Sequence, residues 1–244
     1  MRRAILLQHV KRECGGLFLD VLKEFKYETI IINLFEGKKI PKINSEDIVI
    51  IMGGPMSIND IGTERYAWLK DEILLIKFCI QNNIKLIGIC LGAQLIAHCL
   101  GGRVERLKDD IHKNIFRPEI GWSKIRLIHS SSNTDIDNIL INGLHVLHWH
   151  GDRIILPNKS NLKLLASSTK CKEQFFKFRN IFGLQCHIEV TERVISKWIK
   201  EDNDFIEMGL GQKAQKILKD QTKRYCDESE SRRLDLIRSL ICYS

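Results

Sequence analysis

The chain has 244 residues and 44% hydrophobic content, enough to bury a sizeable core and too apolar for a disordered chain. Its 38 basic and 30 acidic side chains leave a formal charge of +8, but Lys and Arg are interleaved with Asp and Glu throughout, which argues against a nucleic-acid footprint. No apolar run approaches the roughly 20 residues that cross a bilayer, and the eight cysteines form no C-x-x-C pair. A membrane span, a zinc ribbon and a disulfide framework are therefore not expected, and a cytoplasmic, reducing compartment is.

The start of the chain, Met1 to Leu7, turns polar at Gln8 and His9 without a small-residue cleavage site, and Ala4 to Val10 reads as an opening strand. Gly16 to Phe25 carries apolar residues at helical spacing, and Glu28 to Leu34 is β-branched and strand-like. Asp47 to Met52 is a strongly apolar strand that ends at Gly53-Gly54-Pro55, where the chain must turn. Leu69, Ile73, Ile76 and Ile80 fall on one helical stripe, Lys85 to Ile89 is another buried strand, and Gly92 to Leu100 is a helix closed by Gly101-Gly102. Strands alternating with helices imply right-handed crossovers and an α/β fold, a mostly parallel central sheet with helices on both faces. In such sheets working residues gather at the carboxyl ends of the strands.

After Arg103 shorter strands are expected at Ser123 to Ile128, Val146 to Trp149, Leu162 to Ser167, Gln174 to Phe178 and Ile181 to Cys186, several of them antiparallel. Beyond Thr191 the pattern turns helical, with Val194, Ile195, Trp198 and Ile199 on one face and Leu234, Ile237 and Ile241 on another. With no repeat, low-complexity stretch or linker, residues 1–244 read as a single domain in which 191–244 is a helical extension packed on the rest.

Gly88-Ile89-Cys90-Leu91-Gly92 lies where a strand ends and a helix begins, the context of a nucleophile elbow. Flanking glycines let neighbouring backbone pass close to a strained turn, and the new helix directs its N-terminal N–H groups and positive dipole end at the sulfur, which favours thiolate. The Leu91 N–H would then point at a developing oxyanion. His187 follows a predicted strand, and Glu189, two residues on, falls on the same side of an extended segment, so nucleophile, base and orienter are all available. His145, His148 and His150 alternate along another strand, but no Cys or carboxylate set completes a ligand group, so no metal is expected.

Four motifs in order, Met52-Gly53-Gly54-Pro55-Met56-Ser57, Gly88 to Gln94, His148-Trp149-His150-Gly151-Asp152 and Gly183 to Glu189, together resemble the class I glutamine amidotransferases. Arg117-Pro118-Glu119-Ile120-Gly121-Trp122 is similar to a segment of the GMP synthase amidotransferase domain and its stand-alone relatives. The resemblance implies a flavodoxin-like sheet and hydrolysis of L-glutamine to glutamate and ammonia through a Cys90 thioester, with His187 as base and Glu189 as its partner. It also implies Gly54 as the second oxyanion donor, Gln94, His150, Gly151 and Asp152 as substrate-binding residues, and no cofactor. Where the family commonly has Phe and Pro around the catalytic histidine, this chain has Cys186 and Ile188, which puts the fit of that loop in question. No Ser-Gly-Gly-x-Asp phosphate loop is present, so the ammonia is expected to go to a separate synthetase subunit, to a loosely associated enzyme or into solution. Two other readings share these residues: a γ-glutamyl amide or peptide hydrolase, and a non-catalytic glutamine-binding regulatory subunit.

Overall fold

The computed structural model describes residues 2–109, 112, 114–128 and 134–243; Met1, at the head of the expected first strand, and Ser244, at the tail of the expected extension, lie outside them. The chain runs β1 (Arg3–Gln8), α1 (Leu17–Glu24), β2 (Glu28–Asn33), β3 (Ile48–Ile51), α2 (Trp68–Asn82), β4 (Lys85–Ile89) and α3 (Leu91–Cys99). It continues β5 (Arg103–Arg106), β6 (Glu119–Leu127), α4 (Asp135–Leu140), β7 (Leu144–His150), β8 (Asp152–Ile155), β9 (Leu162–Ser167), β10 (Phe175–Phe178) and β11 (Ile181–Leu184). Three helices close it, α5 (Glu192–Glu201), α6 (Asn203–Leu210) and α7 (Ala214–Cys242).

Nine strands form one sheet in the order β2-β1-β3-β4-β11-β10-β9-β6-β7. The pairs from β2 through β11 are parallel, as the βα alternation requires. The central strands are apolar on both faces because both are covered. Ala4 and Leu6 of β1 join the core packed by α1, α4 and α7, whereas Ile5 and Leu7 join the core packed by α2 and α3. A third cluster lies between the β6–β7 pair and the helices α5 to α7.

Four antiparallel pairings follow, from β11 through β10, β9 and β6 to β7. An even number of reversals returns β7 to the direction of β11. The carboxyl ends of β1, β3, β4, β11 and β7 and the amino ends of β6 and β10 thus share one edge of the sheet.

Three elements escape the hydrophobic pattern. Strand β6 begins at Glu119, four residues before the expected Ser123, because pairing with β7 from Glu119↔His150 onward carries it through Gly121 at φ +103°. The separate β5–β8 ribbon is largely exposed and charged, so burial leaves no periodic mark on it. Helix α4 is announced by its cap alone: the Thr134 hydroxyl accepts from the Asp137 N–H at 3.3 Å while the Asp137 carboxylate accepts from the Thr134 N–H at 3.4 Å. Among the described residues no helix is long and apolar enough to cross a membrane.

Candidate active site

Cys90 sits between β4 and α3 at φ +50°, ψ −103°, backbone space that a side chain rarely adopts. Its N–H donates to the Leu184 carbonyl at 2.7 Å, which ties the bend to β11. The flanking glycines are obligatory. A Cβ on Gly88 would lie 2.5 Å from the Gly92 carbonyl carbon, and one on Gly92 would lie 2.3 Å from the Ile51 oxygen. Leu91 is the first residue of α3, so its N–H has no acceptor within the helix.

His187 arrives from the far side of β11, where it exchanges backbone hydrogen bonds with Leu147 of β7 at 2.8 and 3.2 Å. Its Nδ1 donates to Glu189 Oε1 at 2.8 Å, leaving the other nitrogen for Cys90. The Trp198 ring of α5 packs edge-on against the imidazole, with centroids 4.9 Å apart. A Cβ built on Gly53 would be 3.1 Å from His187 Cε1 and 3.4 Å from Cys90 Cβ, so thiol and imidazole converge on one bare stretch of backbone.

The electrostatics qualify one expectation. Burial opposes the His187 imidazolium, but the Glu189 carboxylate and the Cys90 contact outweigh it and hold His187 well above an ordinary imidazole. Burial pushes the Cys90 thiol up, and the hydrogen bond and charge of His187 only partly pull it back. Burial and the neighbouring carboxylates oppose ionisation of the sulfur, whereas His187 favours it. One of those carboxylates belongs to a residue the sequence did not flag, Glu13 from the loop after β1, and it lies across Gly53 and disfavours negative charge on sulfur.

The departures around the histidine are absorbed by packing. Cys186 is fully buried in the core, where burial raises its thiol well above the ordinary value. Ile188 is held through its carbonyl. The guanidinium of Arg233, itself completely buried on α7, donates to the Ile188 oxygen at 3.0 Å and the Val190 oxygen at 2.6 Å. It also donates to the Cys226 oxygen at 2.8 Å and to Ser229 Oγ at 3.1 Å. The extension beyond residue 191 thus fastens the loop that carries Glu189.

Cys90, Gln94, His150, Gly151, Asp152 and Gly54 all line one cavity of about 400 Å³. Gln94, buried on α3, donates to the Gln185 side chain at 3.2 Å, and Gln185 in turn reaches Cys90 Sγ at 3.6 Å. His150 donates from Nδ1 to the Asp152 carbonyl at 2.8 Å, which fixes the turn through Gly151. Burial raises the Asp152 carboxyl, with Arg106 at 3.9 Å opposing the shift. Trp149 and Asp202, joined by a 3.2 Å hydrogen bond, form part of the wall together with Phe205 of α6.

The structure also corrects the view that no carboxylate accompanies the histidines. Glu119, opposite His150 across the β6–β7 pair, comes together with His148 and His150 so that their ligand atoms all lie within 4.8 Å. Hydrogen bonds join only part of the cluster, and both ring nitrogens of His148 are buried without a hydrogen-bond partner. The Gln174 amide donates to Glu119 at 2.8 Å and stands 3.2 Å from His150 Nε2. Burial raises the Glu119 carboxyl, but His148 and His150 outweigh it and hold the group down at about 2. Burial, aided by His150 and His187 against Glu119, holds His148 down at about 4. An unfolded His148 takes up a proton near 6.5 that the folded one refuses until about 4, so its contribution to stability is present above 6.5 and lost as pH falls toward 4. The urea midpoint of a His148→Gln protein should accordingly vary less than that of the parent between pH 6.5 and 4; equal slopes would show that His148 is not held neutral.

The family model for class I glutamine amidotransferases matches residues 16–205. The chain is 33% identical over 183 residues to a subunit of the glutamine-hydrolyzing GMP synthase of Saccharolobus solfataricus, covering 72% of this chain and 86% of that protein. It is 28% identical over 201 residues to the glutamine amidotransferase-like protein YfeJ of Salmonella typhimurium, covering 81% and 80%. A crystal structure of a glutamine amidotransferase from Thermotoga maritima, 28% identical, superposes with a TM-score of 0.82 over 98% of both chains. With the elbow, the mostly parallel sheet and these likenesses in agreement, the chain belongs to the class I glutamine amidotransferase family.

Proposed function

We propose that this chain hydrolyses the side-chain amide of L-glutamine to glutamate and ammonia through a γ-glutamyl thioester on Cys90. The observation that carries the reading is the meeting of Cys90, which lines the cavity, with His187 and Glu189 buried behind it, the imidazole already oriented by a 2.8 Å hydrogen bond. The sulfur attacks the amide carbon as His187 takes the thiol proton, and the oxygen gains negative charge opposite the N–H groups of Gly54 and Leu91. Collapse breaks the C–N bond, and His187 returns the proton to the departing ammonia. Water then adds to the thioester with His187 again as base, releasing glutamate and the thiol.

Asp152 pairs with the α-ammonium, while Gln94 and the backbone at His150 and Gly151 hold the remaining polar groups. An exchange of Asp152 for Asn removes the anion and leaves the shape, so KM for glutamine should rise about tenfold to a hundredfold, as expected for a lost charge-assisted contact, with a smaller change in kcat. An unchanged KM would sink the assignment of Asp152. The direct assay is incubation with glutamine, following ammonia and glutamate together; equal release of both supports the reaction, and none above a Cys90→Ala control rejects it.

The Saccharolobus relative is named as part of a glutamine-hydrolyzing synthase, and on that likeness we infer that the ammonia acceptor is a separate synthetase subunit. Capture of a nucleotide-activating protein that raises glutamine turnover supports this. We read the enzyme as a cytoplasmic single-domain protein, in keeping with its free cysteines.

A further inference from the structure

Behind the glycine turn lies an ion pair that the reaction itself does not use. His9, the residue after β1, and Glu72, in the second turn of α2, are both completely buried. His9 Nε2 lies 3.0 Å from each oxygen of the Glu72 carboxylate, and His9 Nδ1 lies 2.9 Å from the Gly53 carbonyl oxygen. Both ring nitrogens thus face acceptors, a pattern that the doubly protonated imidazolium satisfies. Burial opposes that charge, but Glu72, the Gly53 carbonyl and Glu13 outweigh it and raise His9 above the ordinary value.

The geometry of a trans peptide gives this contact its consequence. The carbonyl of Gly53 and the N–H of Gly54 belong to one plane and point in opposite directions. Whatever holds the Gly53 oxygen toward His9 therefore turns the Gly54 N–H the other way, toward the cavity that Gly54 shares with Cys90. The imidazole also packs directly beneath: a Cβ on Gly54 would lie 2.9 Å from His9 Cβ and 3.2 Å from Cγ, so glycine is required where histidine supports the turn. The neighbouring ladder bond, Met52 N–H to the Leu7 carbonyl at 3.0 Å, sets the register that brings His9 under Gly53. Two buried charges confer little net stability over apolar residues of the same size, which leaves orientation as what they contribute.

We propose that the His9–Glu72 pair is a clamp that fixes the Gly53–Gly54 peptide with its N–H aimed at the oxyanion before substrate arrives. This rests on the reading of the site as a glutamine hydrolase with Gly54 as a donor. His9 and Glu72 are positioning residues, touching no reacting atom. They act on the charge that develops during attack and not on substrate in its ground state, so their effect falls on kcat and spares KM. Their charge-assisted hydrogen bond also polarises the peptide and strengthens its N–H as a donor.

The test uses the full chain carrying His9→Gln with Glu72→Gln, a pair that leaves no buried charge behind, and Glu72→Gln alone, which keeps the imidazole. The double variant should lose about tenfold to a hundredfold in kcat, below the hundredfold to thousandfold typical of deleting an oxyanion donor outright, with KM for glutamine unchanged within about twofold. The single variant should lose less. Iodoacetamide alkylation read on the Cys90 peptide forms no oxyanion and should keep its rate.

Glycine labelled with carbonyl ¹³C and amide ¹⁵N gives correlations only for the three Gly-Gly pairs, at 15–16, 53–54 and 101–102. The 53–54 correlation should move in the double variant while the other two stay. A kcat kept within twofold, a parallel fall in alkylation rate, or an unmoved 53–54 correlation would each overturn the clamp. If the parent chain releases no ammonia from glutamine, the hydrolase reading fails on its own, and the 53–54 correlation still decides whether the pair holds the peptide.

Discussion

Conversion of Cys90 to Ala is expected to lower glutamine hydrolysis by about 10⁴-fold or more, the scale on which loss of a covalent nucleophile acts when binding and oxyanion contacts survive. The fold should be retained. The change removes one atom from a residue whose conformation, at φ +50°, is imposed by the β4–α3 bend and not by its sulfur. Glutamine should still bind, because the residues assigned to its α-substituents lie elsewhere along the cavity, and a measurable affinity without turnover would separate the two functions. In the parent protein a glutamine-like electrophile should label Cys90 alone. Cys79 and Cys171 are pushed up to about 12 by burial, and Cys242, although exposed, lies on α7 and outside the cavity. Equal labelling of several cysteines, or residual turnover within tenfold of the parent in the Ala protein, would remove Cys90 from the mechanism.

Arg233→Met is expected to cost about 3–5 kcal/mol of stability, although the position is far from Cys90 in sequence and its replacement is apolar and similar in length. The guanidinium is the donor for three backbone carbonyls, those of Ile188, Val190 and Cys226. Removing it leaves these oxygens buried without that donor, at about 1–3 kcal/mol each before relaxation. Two of the three flank Glu189, so the protein that remains folded should also lose activity, because the carboxylate that holds His187 is no longer held itself. Arg233→Lys supplies one ammonium where a planar fork is needed and should recover only part of the loss. Urea midpoints and kcat measured on the same preparations check both statements. A stability change below about 1 kcal/mol, or full activity in the Met protein, would mean that the loop is fixed by its other contacts, such as the Leu17 N–H donating to the Glu189 carbonyl at 2.9 Å.

The two residues show how differently the sequence displays its working parts. Cys90 is legible because its chemistry is local: a strand, a glycine, a nucleophile, a second glycine and a helix lie within a few residues, and sterics fix the meaning of that spacing. His187 and Glu189 are legible for the same reason, since two residues along an extended chain return to the same side. Arg233 gives no such sign. It stands beside the apolar stripe of α7 like any charged residue next to a buried face, and only the packing of α7 against the sheet turns it inward.

By itself the sequence determined the alternation of strands and helices, the elbow, the parity that joins imidazole to carboxylate, and the family. These follow from steric and periodic rules that act over one element and its turns. The tertiary structure alone decided that β11 lies beside β4 and so brings His187 to Cys90, and that an even count of antiparallel steps returns β7 to the same edge. It likewise decided that Glu119 meets His150, that Glu72 reaches His9, and that Glu13 faces Cys90 and His187. Each of those meetings depends on which strands pair and which face a helix turns inward, and both are settled by burying apolar surface across the whole chain, so no short stretch of sequence carries them.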